Sequence, residues 1–166
     1  MTDDRTLDDA VADLEAEAQA GWAILARGHR WTLWMRLTWA VPVSEYRAAA
    51  HLKGWAARLQ TRLPGAVVMV GQHSDSGRRH AHAMVFLPRR GAPQNPSGGW
   101  LQSCSRTWHQ RMWAHGNLWV DRFRPFRIRG AGGDPHRHGA AEYMTKEPGT
   151  IELFGTPVAY QPRRSR

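Results

Sequence analysis

The chain has 166 residues, of which 42% are hydrophobic and 22% charged, a composition typical of one folded domain and not of a disordered chain. No apolar run approaches the roughly 18 residues that a membrane-spanning helix needs, and the acidic start Met1–Asp4 is unlike a secretory signal peptide. The single cysteine, Cys104, excludes an internal disulfide and a Cys-rich zinc module. We therefore expect a cytoplasmic protein.

The charge is strongly uneven along the chain. Lys and Arg number 23 against 14 Asp and Glu, a formal net charge of +9. Residues 1–20 contain seven acidic residues and one arginine, so they carry −6 and the remainder carries +15. A basic body of this size favours a polyanionic partner such as nucleic acid.

The spacing of apolar residues predicts alternating helices and strands. In chain order these are a helix at Thr6–Ala26, a strand at Trp31–Val41, a helix capped by Ser44 and ending near Leu63, strands at Ala66–Gln72 and Arg79–Leu87, a helix at Trp100–Ala114, strands at Leu118–Phe123 and Phe126–Arg129, and a short helix at Ala140–Glu147. This order predicts an α+β fold, with a mainly antiparallel sheet of about five strands and helices on its faces. We divide the chain into an acidic helix or arm at 1–28, one domain at 29–160 and a basic tail at 161–166.

Two histidines stand two residues apart in one predicted strand. Alternation puts His80 and His82 on the same face, about 7 Å apart at the backbone, so their rings could share a metal ion. Buried histidines that only make structural hydrogen bonds fit the pattern equally well. A second pair, His136 and His138, lies in a loop rich in proline, glycine and arginine, where solvated histidines are the simpler interpretation.

Tyr143 and Lys146 form a second feature. Three residues apart on a predicted helix, they share one face, so the ammonium group can lie near the phenol. Taken alone, this is an ordinary surface pair. The order is more informative, because a strand with paired histidines precedes a helix with a tyrosine.

These features resemble the motifs of the HUH endonucleases, in particular the single-tyrosine replication initiators of rolling-circle plasmids and single-stranded DNA viruses. Thr32–Trp39 is similar to the first-strand motif, and Arg79–Leu87 to the His-hydrophobic-His motif, with a small Ala81 in the middle. Ala141–Lys146 is similar to the Tyr-x-x-Lys helix motif. The resemblance runs from Trp31 to Pro148 and implies the HUH nuclease fold.

The resemblance also implies a third metal ligand on the strand before the histidines. The candidates are Gln72 and His73. A hairpin loop of three or five residues would put Gln72 on the histidine face, whereas a loop of two or four residues would select His73. We prefer Gln72 because its position matches the family pattern better.

The activity implied by the family is metal-dependent, sequence-specific nicking and joining of single-stranded DNA. Mg²⁺ or Mn²⁺ would be held by His80, His82 and Gln72, although two imidazoles alone suit Zn²⁺ equally well. Tyr143 would attack the scissile phosphate, giving a 5′-phosphotyrosyl adduct and a free 3′-hydroxyl that can rejoin without ATP. The phenol has an ordinary pKa of about 10, and Lys146 and the metal would favour its phenolate form.

The implied partner is single-stranded or hairpin DNA at a replication origin. A separate helicase is expected, because the sequence contains no phosphate-binding P-loop. Arginines near the predicted strands are candidates for phosphate contacts. These are Arg36, Arg78, Arg79, Arg122, Arg124, Arg127 and Arg129.

Two other functions remain open. A single-tyrosine transposase of the same superfamily would use the same chemistry, although the Tyr-x-x-Lys spacing favours an initiator. A non-catalytic basic module that binds RNA or DNA would need His80 and His82 only as structural residues, and Tyr143 would then have no role in catalysis.

Overall fold

The computed structural model of the chain describes residues 6–75, 77–87, 108–123, 143–145 and 150–157. Its elements in chain order are α1 (Leu7–Gly28), β1 (Leu33–Thr38), α2 (Glu45–Arg62), β2 (Val67–Asp75), β3 (Arg78–Phe86), β4 (Leu118–Arg122) and β5 (Ile151–Phe154). Residues 108–112 and 143–144 are also helical. The predicted strand at Phe126–Arg129 lies outside the described residues.

The five strands form one sheet in the order β4-β1-β3-β2-β5, and all neighbours are antiparallel. This confirms the predicted α+β class with a five-stranded antiparallel sheet. β3, which carries His80 and His82, is the central strand. The fifth strand is Ile151–Phe154, a segment for which the sequence predicted no strand. Four residues are too few for a period to be recognised, and this segment is a strand because it pairs with β2.

One face of the sheet packs on α2. Leu33, Met35 and Leu37 alternate along β1 and are fully buried, as period-two spacing predicts. They belong to the same core as the apolar stripe of α2, namely Leu52, Trp55, Ala56 and Leu59. Ser44 caps this helix as predicted, since its side chain accepts a hydrogen bond from the backbone N–H of Arg47.

The opposite face carries a smaller core. Met69 of β2 and Met84 of β3 are buried there with Met144 and with Ala26 from the end of α1. Trp31 closes this core, and its indole N–H donates to the backbone oxygen of Ala26 at 2.8 Å. The face therefore brings residues 143–145 onto the strands that carry the histidines.

Only the end of α1 reaches this core. The helix begins with a capping box between Thr6 and Asp9, which satisfies backbone N–H groups of the first turn. Residues 6–21 are all exposed, and Ala26 is the buried residue of the helix. Of the helices in the described ranges, none combines the length and apolar character needed to cross a membrane.

Candidate histidine–tyrosine site

The pairing of β2 with β3 puts three histidines on one face of the sheet. Residues 76 and 77 separate the two strands, and Gly77 has a φ of 76°, which glycine adopts without strain. In the resulting register His73 lies opposite His80, and Gly71 lies opposite His82. Because residues directly opposite one another project to the same side, His73 joins the predicted pair.

The three imidazole rings form a compact triangle. Ring centres lie 5.0 Å apart for His80 and His82, 5.4 Å for His73 and His82, and 5.6 Å for His73 and His80. Two imidazoles on one tetrahedral ion have ring centres about 5 Å apart, since each metal–nitrogen bond is about 2.0–2.1 Å. The spacing of the rings is compatible with a shared ion.

Tyr143 lies against this triangle. Its ring centre is 4.8 Å from that of His82, with the two planes at 87°, and 5.6 Å from that of His73. The neighbouring residues anchor it, since Met144 and Thr145 are 0% and 1% exposed. The phenol predicted as the nucleophile is therefore on the histidine face of the sheet and in contact with the histidine rings.

Gly71 makes room for this contact. A Cβ atom at position 71 would lie 3.1 Å from the backbone oxygen of Met144, closer than ordinary van der Waals contact, and would touch Nε2 of His73 at 3.4 Å. The absence of a side chain lets the segment that carries Tyr143 lie directly on β2.

Trp34 fills the other side of the site. Its ring stacks on that of His82 at 5.1 Å with the planes 25° apart, and it meets the edge of Tyr143 at 6.3 Å. Trp34 has no role assigned by the sequence motifs. The alternation along β1 could have indicated this contact. It places Trp34 on the same face as Arg36, which lies opposite His82.

His82 is held in its neutral form. It is 7% exposed, and burial is the main cause that lowers its pKa to about 3, with the positive charges of His80, His73 and Arg36 acting in the same direction. Within the described part of the chain its Nδ1 atom has no hydrogen-bond partner. A neutral imidazole with an unused nitrogen is ready to bind a metal ion.

The three imidazoles do not form a metal centre as they stand. Among the described residues, no group of three or more His, Cys, Asp or Glu side chains is arranged to hold a metal ion. The donor types and the ring separations do fit one. Rotation of the imidazoles about their side-chain bonds changes where the nitrogens point without moving the strands.

Gln72, which the sequence analysis preferred as the third ligand, lies on the wrong face. It pairs with Ala81, so its side chain points toward α2 and away from the histidines. There its Oε1 accepts a hydrogen bond of 3.4 Å from Arg79. The strands are joined through two residues, and a connection of that length selects His73. The expectation that Gln72 shares the histidine face is therefore wrong.

The predicted DNA-contacting arginines divide between the two faces. Arg36 lies opposite His82, and Arg78 is exposed two residues before His80, so both are on the histidine face. Arg79 is on the other face, 3.8 Å from a carboxylate oxygen of Glu45. Lys146, Arg124, Arg127 and Arg129 lie outside the described residues, as does the side chain of Arg122.

Comparison with known proteins found no match to a protein-family model, to a curated protein or to a solved structure. The interpretation of the site therefore depends on the sequence motifs and on the geometry of the histidine–tyrosine cluster.

Proposed function

We propose that this protein nicks and rejoins single-stranded DNA through a covalent tyrosine intermediate and thereby initiates rolling-circle replication, as the HUH endonucleases that it resembles do. The observation that carries the proposal is the contact of Tyr143 with His82 and His73, at ring-centre distances of 4.8 Å and 5.6 Å. A nucleophile and metal ligands must meet one phosphate, so they must share one face of the fold.

The proposed metal ligands are His73, His80 and His82. When bound, a divalent ion would withdraw charge from the phosphate oxygens and stabilise the charge that builds up during in-line displacement. Three imidazoles suit Mn²⁺ and Zn²⁺ better than Mg²⁺, which prefers oxygen ligands. Of the two ions that the family implies, Mn²⁺ is therefore the better candidate.

Tyr143 supplies the nucleophile. Its Oη attacks the scissile phosphorus, the bond between phosphorus and the 3′ oxygen breaks, and the tyrosine is left attached to the 5′ phosphate. The phenol releases its proton to solvent, and the departing 3′ oxygen takes one up. Because one phosphodiester replaces another, attack by the 3′-hydroxyl can reverse the step without ATP.

Charge on the same face supports DNA as the substrate. Arg36 and Arg78 flank the histidines along and across the strands, where they can contact phosphates on either side of the scissile position. The net charge of +9 favours the approach of any nucleic acid. A transposase of the same superfamily would share these features and differ in the DNA that it recognises.

The test is formation of a covalent adduct. The protein is incubated with Mn²⁺ and a random pool of single-stranded oligonucleotides, and we expect an adduct that survives SDS. Tyr143→Phe and EDTA should each abolish it, because one removes the attacking oxygen and the other the metal. Tyr46→Phe is the matched control, since Tyr46 is 85% exposed on α2, and it should form adduct like the wild type.

Sequencing of the DNA recovered from the adduct would identify the cleaved site. A recovered sequence that matches a replication-origin hairpin supports an initiator. A sequence that matches transposon ends supports a transposase. If Tyr143→Phe forms adduct at the wild-type level, the nucleophile is misassigned and Tyr160 is the next candidate. Tight, salt-sensitive binding without any adduct would instead support a non-catalytic binding module.

A further inference from the structure

An exposed tryptophan and an arginine lie beside the site. Trp119 of β4 is 52% exposed, and the guanidinium carbon of Arg36 on β1 lies 5.9 Å from the centre of its ring. Trp119 and Tyr46 are the aromatic residues more than half exposed within the described ranges. The indole therefore presents a flat aromatic surface to solvent beside a cationic side chain.

The register connects this pair directly to the histidines. Trp119 lies opposite Arg36 on the neighbouring strand, and Arg36 lies opposite His82 on the next. The three side chains therefore project from one face in a row across three strands. Since adjacent strands are about 4.7–4.9 Å apart, Trp119 is about 10 Å from His82 at the backbone.

That distance suits a bound strand. Nucleotides repeat at about 3.4 Å along one strand of stacked DNA and farther apart when the strand is extended. About 10 Å therefore corresponds to no more than about three nucleotides. A strand whose scissile phosphate lies at the histidines would pass Trp119 within that number of bases if it ran across β1 toward β4.

The chemistry of the pair favours a nucleobase. Indole offers a flat π surface on which any unpaired base can stack, and the planar guanidinium of Arg36 can stack or pair with a phosphate. Bases inside a duplex are already stacked on one another and are not accessible to such a surface. The pair is thus suited to single-stranded nucleic acid.

We propose that Trp119 and Arg36 form a stacking subsite for an unpaired nucleobase within about three nucleotides of the scissile phosphate. The location relative to that phosphate rests on the proposed nicking function. The stacking itself does not, so the two can be tested separately.

The first test measures binding alone. A labelled oligothymidine of about 15 nucleotides is titrated without metal at constant salt, and we expect Trp119→Ala to weaken binding roughly 5- to 150-fold, the effect of one stacked base. Trp119→Phe should retain most of the affinity because it keeps an aromatic face. Trp119→Leu should bind as weakly as Trp119→Ala, because it keeps apolar bulk without that face.

Tyr46→Ala provides the matched control, because Tyr46 is an exposed aromatic on α2, against the other face of the sheet. It should bind like the wild type. Melting temperatures identify variants that fail to fold. If Trp119→Ala fails to fold, the comparison of Trp119→Phe with Trp119→Leu still tests the subsite. Affinity of Trp119→Leu within about twofold of the wild type would overturn the subsite.

The second test locates the base. On a cleaved oligonucleotide, single abasic positions are placed one at a time on each side of the nick. In the wild type one position within about three nucleotides should weaken binding, and in Trp119→Leu the same abasic position should have no further effect. If the wild type forms no adduct with any DNA, the nicking proposal fails while the first test still decides the subsite. Adduct formation with equal abasic profiles in both proteins overturns the subsite alone.

Discussion

A Cβ atom at Gly71 would lie 3.1 Å from the backbone oxygen of Met144. Gly71 is directly opposite His82 in the sheet, and Met144 follows Tyr143 in the chain. The closeness of β2 to this segment therefore sets the distance between the tyrosine and the histidine rings. A side chain at position 71 would therefore change the position of Tyr143 relative to the histidine rings.

We expect Gly71→Ala both to slow adduct formation and to lower the free energy of unfolding. The added methyl group would press on the backbone oxygen of Met144, which must move by a few tenths of an ångström. Since a shift of about 1 Å at a reacting group can slow a reaction about 100-fold, we expect a slowing of less than about 100-fold. Overpacking should lower the free energy of unfolding by about 1–3 kcal/mol. Both quantities are measured at a temperature where the variant is folded.

Gly54→Ala is the control for this substitution. Its Cβ would meet only Nη1 of Arg58, at 3.5 Å, and alanine favours a helix by about 1 kcal/mol over glycine. This variant should keep full activity and melt no lower than the wild type. Wild-type adduct formation by Gly71→Ala would show that the close approach is not needed.

Gln72 and His73 are adjacent in the chain but face opposite sides of the sheet, so they test which face holds the metal. We expect His73→Ala to lose the rise in melting temperature caused by Mn²⁺ and to lose adduct formation. Gln72→Met keeps a side chain of similar shape and should retain both. Loss of metal binding by Gln72→Met but not by His73→Ala would restore the ligand assignment made from sequence.

The three imidazoles also predict a preference among metals. At equal concentration Mn²⁺ or Zn²⁺ should raise the melting temperature clearly, whereas Mg²⁺ should have little effect, because nitrogen ligands suit transition metals. An ion present at about 100 times its Kd stabilises the fold by about 2.7 kcal/mol. His82→Ala should remove this effect. Equal stabilisation by Mg²⁺ would argue against an all-imidazole site.

His109 predicts a dependence of stability on pH that is separate from the site. Burial lowers its pKa from 6.5 to about 4, so the unfolded chain takes up a proton first as the pH falls. The contribution of the neutral His109 to the free energy of unfolding is fully present above pH 6.5. It is lost progressively as the pH falls from 6.5 to the folded pKa of about 4. At pH 4 the loss from this group is about 3 kcal/mol.

Protonation of His82 also lowers the stability at acidic pH, since the pKa of His82 is lowered as well. The contribution of His109 is therefore obtained as a difference between two proteins. The free energy of unfolding is measured by denaturant titration between pH 7 and pH 4 for the wild type and for His109→Phe. The variant should lose about 3 kcal/mol less over this interval, because it has no group to protonate at that position. Parallel curves for the two proteins would show that His109 is not buried in its neutral form.

Elements with a period of sufficient length can be predicted from the amino-acid sequence alone. The apolar stripe of α2, the alternation along β1 and the shared face of His80 and His82 all follow from the local geometry of one helix or one strand. The same reasoning placed Tyr143 on a helix after the histidines. These features need no knowledge of how distant segments pack.

Contacts between strands, in contrast, follow from how the chain packs in three dimensions. A shift of one residue in the pairing of β2 with β3 exchanges His73 for Gln72 on the histidine face, and the family pattern favoured Gln72, which lies on the opposite face. The strand at Ile151–Phe154, the contact of Trp34 with His82 and the approach of Tyr143 over Gly71 join residues far apart in the chain. Such contacts depend on register and close packing, which no local period encodes.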